Sequence, residues 1–157
     1  MNETVHPNEK LLKFEPSQIM AGLSILIGEQ LGYSGLSRTT FAMRYNDNAV
    51  IKIENTNEGV FQNVIEWRAW CFISQDEKLS QYFAPCYEIS RCGTVLIQAR
   101  TQPIPDDLEL VEMPDFVGDF KKMNWGMIED RPVLHDYGIL NPTRGRKVKI
   151  IKQNLLY

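Results

Sequence analysis

Two strand-like runs, Ser37–Tyr45 and Ala49–Glu54, lie on either side of Asn46-Asp47-Asn48, and this arrangement constrains the fold more than any other feature. Asn and Asp tolerate the left-handed backbone that a tight reversal demands. The chain is therefore expected to turn back on itself there and start an antiparallel sheet. The pattern recurs at Pro85–Ser90 and Thr94–Ala99 around Arg91-Cys92-Gly93, and at Trp125–Ile128 and Pro132–His135 around Glu129-Asp130-Arg131. Helical periodicity appears before each of the first two pairs. Pro16 opens a segment with Ile19, Leu23, Leu26, Ile27 and Leu31 at helical spacing and Gly32 as its stop. A second helix is expected over Glu58–Ile73, and the capping-box spacing of Asn63 and Glu66 leaves a later start open. Pro103–Gly118 is acidic and punctuated by proline, with room for at most a short helix. The order helix, hairpin, helix, hairpin, irregular stretch, hairpin predicts an α+β fold on an antiparallel sheet.

A chain of 157 residues suits one domain, residues 1–157, and 43% hydrophobic with 24% charged residues supplies an ordinary soluble core. The total charge of −3 and a pI near 5.4 give no basis for nucleic-acid binding. The charge is uneven, however. From Ile139 onward come Arg144, Arg146, Lys147, Lys149 and Lys152 with no acid, which leaves −8 on the rest. Such a tail reads as a solvated edge strand or as a docking strip for an acidic partner or a phosphate. Cys71, Cys86 and Cys92 are odd in number, and Met1–Pro16 is polar with no apolar stretch of a secretory signal, so reduced thiols in the cytoplasm are expected. A zinc site from Cys86, Cys92 and His135 lacks ligand spacing. No apolar run approaches a membrane span.

The polar residues suggest a chemistry. Gly32-Tyr33-Ser34-Gly35-Leu36-Ser37 runs into the first hairpin strand, and its small residues allow close backbone approach to a phosphate. On the next strand, alternation puts Val50 and Lys52 on one face. Glu66, on the second helix, is the better-placed partner for Lys52, with Glu58 as runner-up. Asp119 and Asn124 stand five apart, and Asp136-Tyr137-Gly138 follows twelve residues after Asn124. The hairpin between Asn124 and Asp136 is expected to bring their side-chain oxygens together. Asp119 also suits the N-cap of a helix starting at Phe120.

Taken together, Gly32 to Gly138 resembles the protein-kinase-like superfamily, and most closely the compact, atypical kinases of bacteria and bacteriophages. Gly32–Thr39 resembles the glycine-rich loop, with Ser34, Ser37 and Thr39 in place of its second and third glycines and its valine. Val50-Ile51-Lys52 resembles the Val-Ala-Ile-Lys strand, Asp119–Asn124 the catalytic loop, and Asp136-Tyr137-Gly138 the Asp-Phe-Gly segment. The resemblance implies ATP and Mg²⁺ as cofactors. Gly32, Ser34, Gly35, Ser37, Val50 and Lys52 would cover the nucleotide, and Gln98, Ala99 and Arg100, in a hinge reaching Thr101, would meet adenine. Lys52 would contact the phosphates, Glu66 would hold Lys52, Asp119 would be the catalytic base, and Asn124 and Asp136 would be the metal ligands.

The departures define the variant. Val117-Gly118 replaces the His-Arg before the catalytic Asp, twenty-one positions separate Gln98 from Asp119, and nineteen residues follow Gly138. These spacings imply an antiparallel-sheet N-lobe and hinge over about residues 16–101 and a much reduced C-lobe over 102–157. Two functions follow from the resemblance. One is an ATP- and Mg²⁺-dependent phosphotransferase with a protein acceptor. The other is a pseudokinase-like module that binds or inhibits a partner protein by contact. A reduced lobe should expose apolar surface near Phe116, Phe120 and Trp125, which implies a homo-oligomer or a protein partner there.

Overall fold

The computed structural model describes residues 21–32, 35, 37–55, 61–138, 140 and 147–156. Ser34, Glu58, Arg144, Arg146 and the first helical residues expected after Pro16 lie outside these. The architecture is α+β with a mostly antiparallel sheet and few helices. Strands β1 (Ile27–Gln30), β2 (Arg38–Met43), β3 (Asn46–Glu54), β4 (Cys86–Ile89) and β5 (Val95–Ala99) form one sheet, ordered β1-β2-β3-β5-β4. Helix α1 (Gln62–Ile73) and the short α2 (Glu77–Ser80) connect β3 to β4. Two ribbons complete the described fold, β7 (Trp125–Ile128) with β8 (Arg131–Leu134), and β6 (Leu110–Pro114) with β9 (Ile150–Asn154).

Sheet pairing overrides several local expectations. The helix expected to run on to Leu31 gives way to β1, because Ile27 pairs with Met43 and is buried beside Phe41, Ile51 and Ile53. The first hairpin turns at Arg44-Tyr45, not at Asn46-Asp47-Asn48. Met43 pairs with Asn46 while Ala42 pairs with Val50, so the triplet sits in a bulge where Asn46 Oδ1 accepts from Asn48 N–H at 3.0 Å. The later helix start holds, yet Asn63 is not its cap. Glu54, at the end of β3, supplies the carboxylate that accepts from Asn63 N–H at 2.6 Å.

The largest departure is β6. Its segment was expected to be irregular, but Val111 and Met113 alternate inward and the strand pairs with the basic β9, from Leu110–Asn154 to Pro114–Ile150. The partner lies almost forty residues away in sequence, beyond the reach of any local signal. In the described part of the basic tail, Lys152 Nζ lies 3.6 Å from Glu112 Oε1, with both side chains largely exposed. The apolar surface expected near Phe116, Phe120 and Trp125 is covered in part, while Leu110, Met123, Ile150 and Leu156 stay exposed. Trp125 is buried, and both phenylalanines pack against a core that joins Ala69 and Ile73 of α1 to Phe83, Met113, Leu134 and Tyr137. Among the described residues no helix is long and apolar enough to cross a membrane.

Candidate functional site

β3 builds the back of a cavity of about 450 Å³. Its pleat sends Ile51 and Ile53 into the small core with Ile27 and Phe41, and sends Val50 and Lys52 to the cavity. Gly32, Gly35 and Ser37 line one side, Gln98, Ala99, Arg100 and Thr101 another, and Asn124, His135 and Asp136 the opposite wall. The structure therefore brings together most of the residues singled out in the sequence. Two details differ. Thr40 lines the cavity, whereas Thr39 bonds Asn55 away from it, so the strand after the glycine-rich loop enters one residue later than expected. Gln98 turns its amide into the core: Nε2 donates to Glu66 Oε1 at 3.1 Å and to Ala84 O at 3.4 Å. The amides of Ala99 and Arg100 are spent on Pro85 O and Asn48 O, which ties that segment into the sheet.

Glu66 is the centre of the site. The stripe that α1 buries begins with two polar residues, Asn63 and Glu66, and ends with Ala69 and Ile73, so the first half of the helix faces the sheet with hydrogen-bonding groups. Glu66 Oε1 accepts from Lys52 Nζ at 2.7 Å, and Oε2 accepts from Arg38 Nη2 at 3.0 Å and from Tyr137 N–H at 3.1 Å. A fully buried carboxylate is costly unless paired and saturated with donors, and here it is both. Lys52 also donates to His135 O at 2.5 Å, linking the sheet to the segment before Asp136.

Arg38 was not anticipated. Its Nη2 also lies 2.6 Å from Asp136 Oδ1, and its Nη1 donates to Asn63 Oδ1 at 3.2 Å. Register could have revealed it. Lys52 pairs with Thr40, so Glu54 and Arg38, two residues further along each strand, share the face of Lys52. Burial works against the charge on Arg38, but Glu66 and Asp136 outweigh it and raise its pKa. At Asp136 burial likewise opposes the charge, yet Arg38 and then Lys52 hold the carboxyl below its usual range. Glu54 stays above its usual value, because its burial exceeds the help from Asn63 N–H and Arg38.

The opposite wall hangs on backbone bonds. Asn124 O accepts from the amides of His135 at 2.9 Å and Asp136 at 3.3 Å, so the β7–β8 hairpin does return the two segments to one place. The five-residue spacing of Asp119 and Asn124 becomes a contact, with Asn124 Nδ2 donating to Asp119 Oδ2 at 2.7 Å. Asp119 caps no helix at Phe120. Its Oδ1 accepts from Lys121 N–H at 3.2 Å, ahead of a single 3-10 turn at Lys122–Asn124. Asp119 stands behind Asn124 and is not part of the cavity lining.

His135 also escaped the sequence reading as a structural element of the site. Its Nε2 lies 3.1 Å from Met123 O, a carbonyl that only accepts, so Nε2 carries the proton and Nδ1 accepts from Thr101 Oγ1 at 2.8 Å. Burial, then the charge of Lys52, lowers its pKa to about 4. The ring is a neutral strap between the end of β5 and the loop before β7.

An acid and a carboxamide on one wall suit Mg²⁺ in kind, since that ion keeps several waters and takes few protein oxygens. The carboxylate is nonetheless already engaged, by Arg38 and by the Gly138 amide. Among the described residues no cluster of three or more His, Cys, Asp or Glu side chains could hold a metal. A scan of the sequence against protein-family models finds no match, and a search of curated proteins finds no significant one.

Proposed function

We propose that the cavity binds ATP and that the chain is a Mg²⁺-dependent phosphotransferase acting on a protein acceptor in the cytoplasm. One observation carries the reading: the Lys52–Glu66 ion pair, 2.7 Å long, at the back of a 450 Å³ cavity with Asn124 and Asp136 opposite. The kinase-like resemblance assigns the same residues to the same work. Lys52 positions phosphate oxygens and Glu66 holds Lys52 in place. Asp119, which the resemblance makes the base, lies outside the cavity lining and would take the proton of an acceptor hydroxyl that approaches from that side, as the hydroxyl oxygen bonds phosphorus and the bond to ADP breaks. Mg²⁺, carried by the phosphates and met by Asn124 and Asp136, would neutralise the charge that develops.

Radiolabelled ATP with Mg²⁺ tests the reading, with label expected on the chain itself or on proteins of a lysate. Asp119→Asn keeps the shape and removes the charge, so nucleotide should still bind while transfer falls by about 10²–10⁴. Unchanged transfer in that variant would remove Asp119 from the role of base. The Arg38–Asp136 pair favours a second reading, a pseudokinase-like module that binds a protein partner or a second copy by contact. Nucleotide binding with no transfer to any acceptor would select it.

A further inference from the structure

We infer that the cavity binds the phosphates of its nucleotide without a divalent cation, because Arg38 already holds the cation position beside Asp136. This rests on the nucleotide reading of the cavity, which both proposed functions share. The guanidinium is built in, not draped over the surface. It is 8% exposed and meets three acceptors at once, Asn63 Oδ1, Glu66 Oε2 and Asp136 Oδ1. The Asn63 amide is itself fixed, since its Nδ2 donates to Lys52 O at 3.1 Å and Thr94 O at 3.0 Å, which leaves Oδ1 turned to Arg38. A planar fork clamped by two buried groups loses little further freedom when it binds.

Two consequences follow. A divalent ion on Asp136 would crowd a second cation against the guanidinium around a single carboxylate, so the ground state disfavours it. Arg38 and Lys52 also retain donors. Lys52 has three and Arg38 five, and their bonds to described residues use two and three of these. Both side chains line the cavity while almost wholly removed from water, where charge-assisted bonds to phosphate are strong. Mg²⁺ then serves transfer and not affinity, and it must draw Asp136 away from Arg38 to do so.

Calorimetric titration of ATP into the full chain, once in EDTA and once in magnesium chloride, decides the matter. Dissociation constants agreeing within about threefold are expected. Arg38→Met should weaken binding in EDTA about tenfold or more and regain it in Mg²⁺, because the freed Asp136 can now take the ion. Wild-type binding that needs Mg²⁺ would overturn the inference and leave the nucleotide reading standing. Absence of binding in both buffers would overturn both. Equal metal-free binding by Arg38→Met would also overturn it, and should that variant fail to fold, the two wild-type titrations decide alone.

Discussion

The five-stranded sheet and the segments that flank the β7–β8 ribbon meet at one cavity but hold their residues by different means. In the sheet, the pleat and the β2–β3 register decide where Arg38, Thr40, Val50 and Lys52 point, and a buried carboxylate on α1 locks the two cations. Around the β7–β8 ribbon, position depends on a few isolated contacts. Asp136 and His135 hang from Asn124 O, the His135 ring straps Thr101 to Met123, and an isolated pairing of Gln102 with Met127 fastens β7 below the end of β5. A continuous ladder shares a local defect among its neighbours, whereas a lone bond does not. The sheet side should therefore be sensitive mainly to its charges, and the ribbon side to its close contacts.

The largest expected effect breaks the charged lock. Glu66→Ala takes from Lys52 its carboxylate partner, leaves Arg38 with Asp136 and Asn63, and removes one of the acceptors of Gln98 Nε2 and the acceptor of Tyr137 N–H. Removing one partner of a buried ion pair typically costs about 3–5 kcal/mol. Urea denaturation should read that loss, and a cost under about 1 kcal/mol would mean the sheet side does not depend on its charges.

Acid should act next, through the strap. The folded pKa of His135 is about 4 and its ordinary value is 6.5. In that window the unfolded chain binds the proton and the folded chain does not, so stability is complete above pH 6.5 and falls as the pH drops to 4. The full difference amounts to about 3 kcal/mol. Glu54, with its raised pKa, titrates in the opposite sense, so the comparison that matters is wild type against His135→Asn. Identical pH slopes in the two proteins would show that the strap does not couple β5 to the ribbon.

Gly126→Ala sharpens the contrast from the packing side. A Cβ at Gly126 would lie 2.3 Å from Thr101 Oγ1 and 2.9 Å from Gln102 O, so β7 must shift against the end of β5. Overpacking of this kind costs about 1–3 kcal/mol. Thermal melting should show it, and a neutral result would indicate a looser junction than the geometry implies. The smallest effect belongs to the outer ribbon. Lys152 and Glu112 are both largely exposed at 3.6 Å, so Lys152→Ala should change stability by no more than about 1 kcal/mol. A larger loss would make the β6–β9 pairing electrostatic and not apolar.

Much of the site was legible because it rests on short-range rules. The alternation of β3 gives Lys52 its direction, and the two turn signals around β4–β5 and β7–β8 mark real hairpins. The short hairpin between Asn124 and Asp136 is enough to bring those residues together. Glu66 could be chosen from the sequence as an acid on the helix expected after β3. Its position on a polar stripe with Asn63 could not, since a half-polar buried face has no clear periodicity.

What local pattern determined was the second and third hairpin turns, most strands and the side most residues take within a strand, because those depend on neighbours two to five positions apart. Tertiary structure alone decided the rest. Helical spacing at Ile27 yielded to a place beside Phe41, and an acidic, proline-marked segment became a strand once a basic partner arrived from the far end of the chain. Arg38 found Asp136 ninety-eight residues away. Burial and charge pairing are properties of contacts, and those contacts exist only after the distant segments have met.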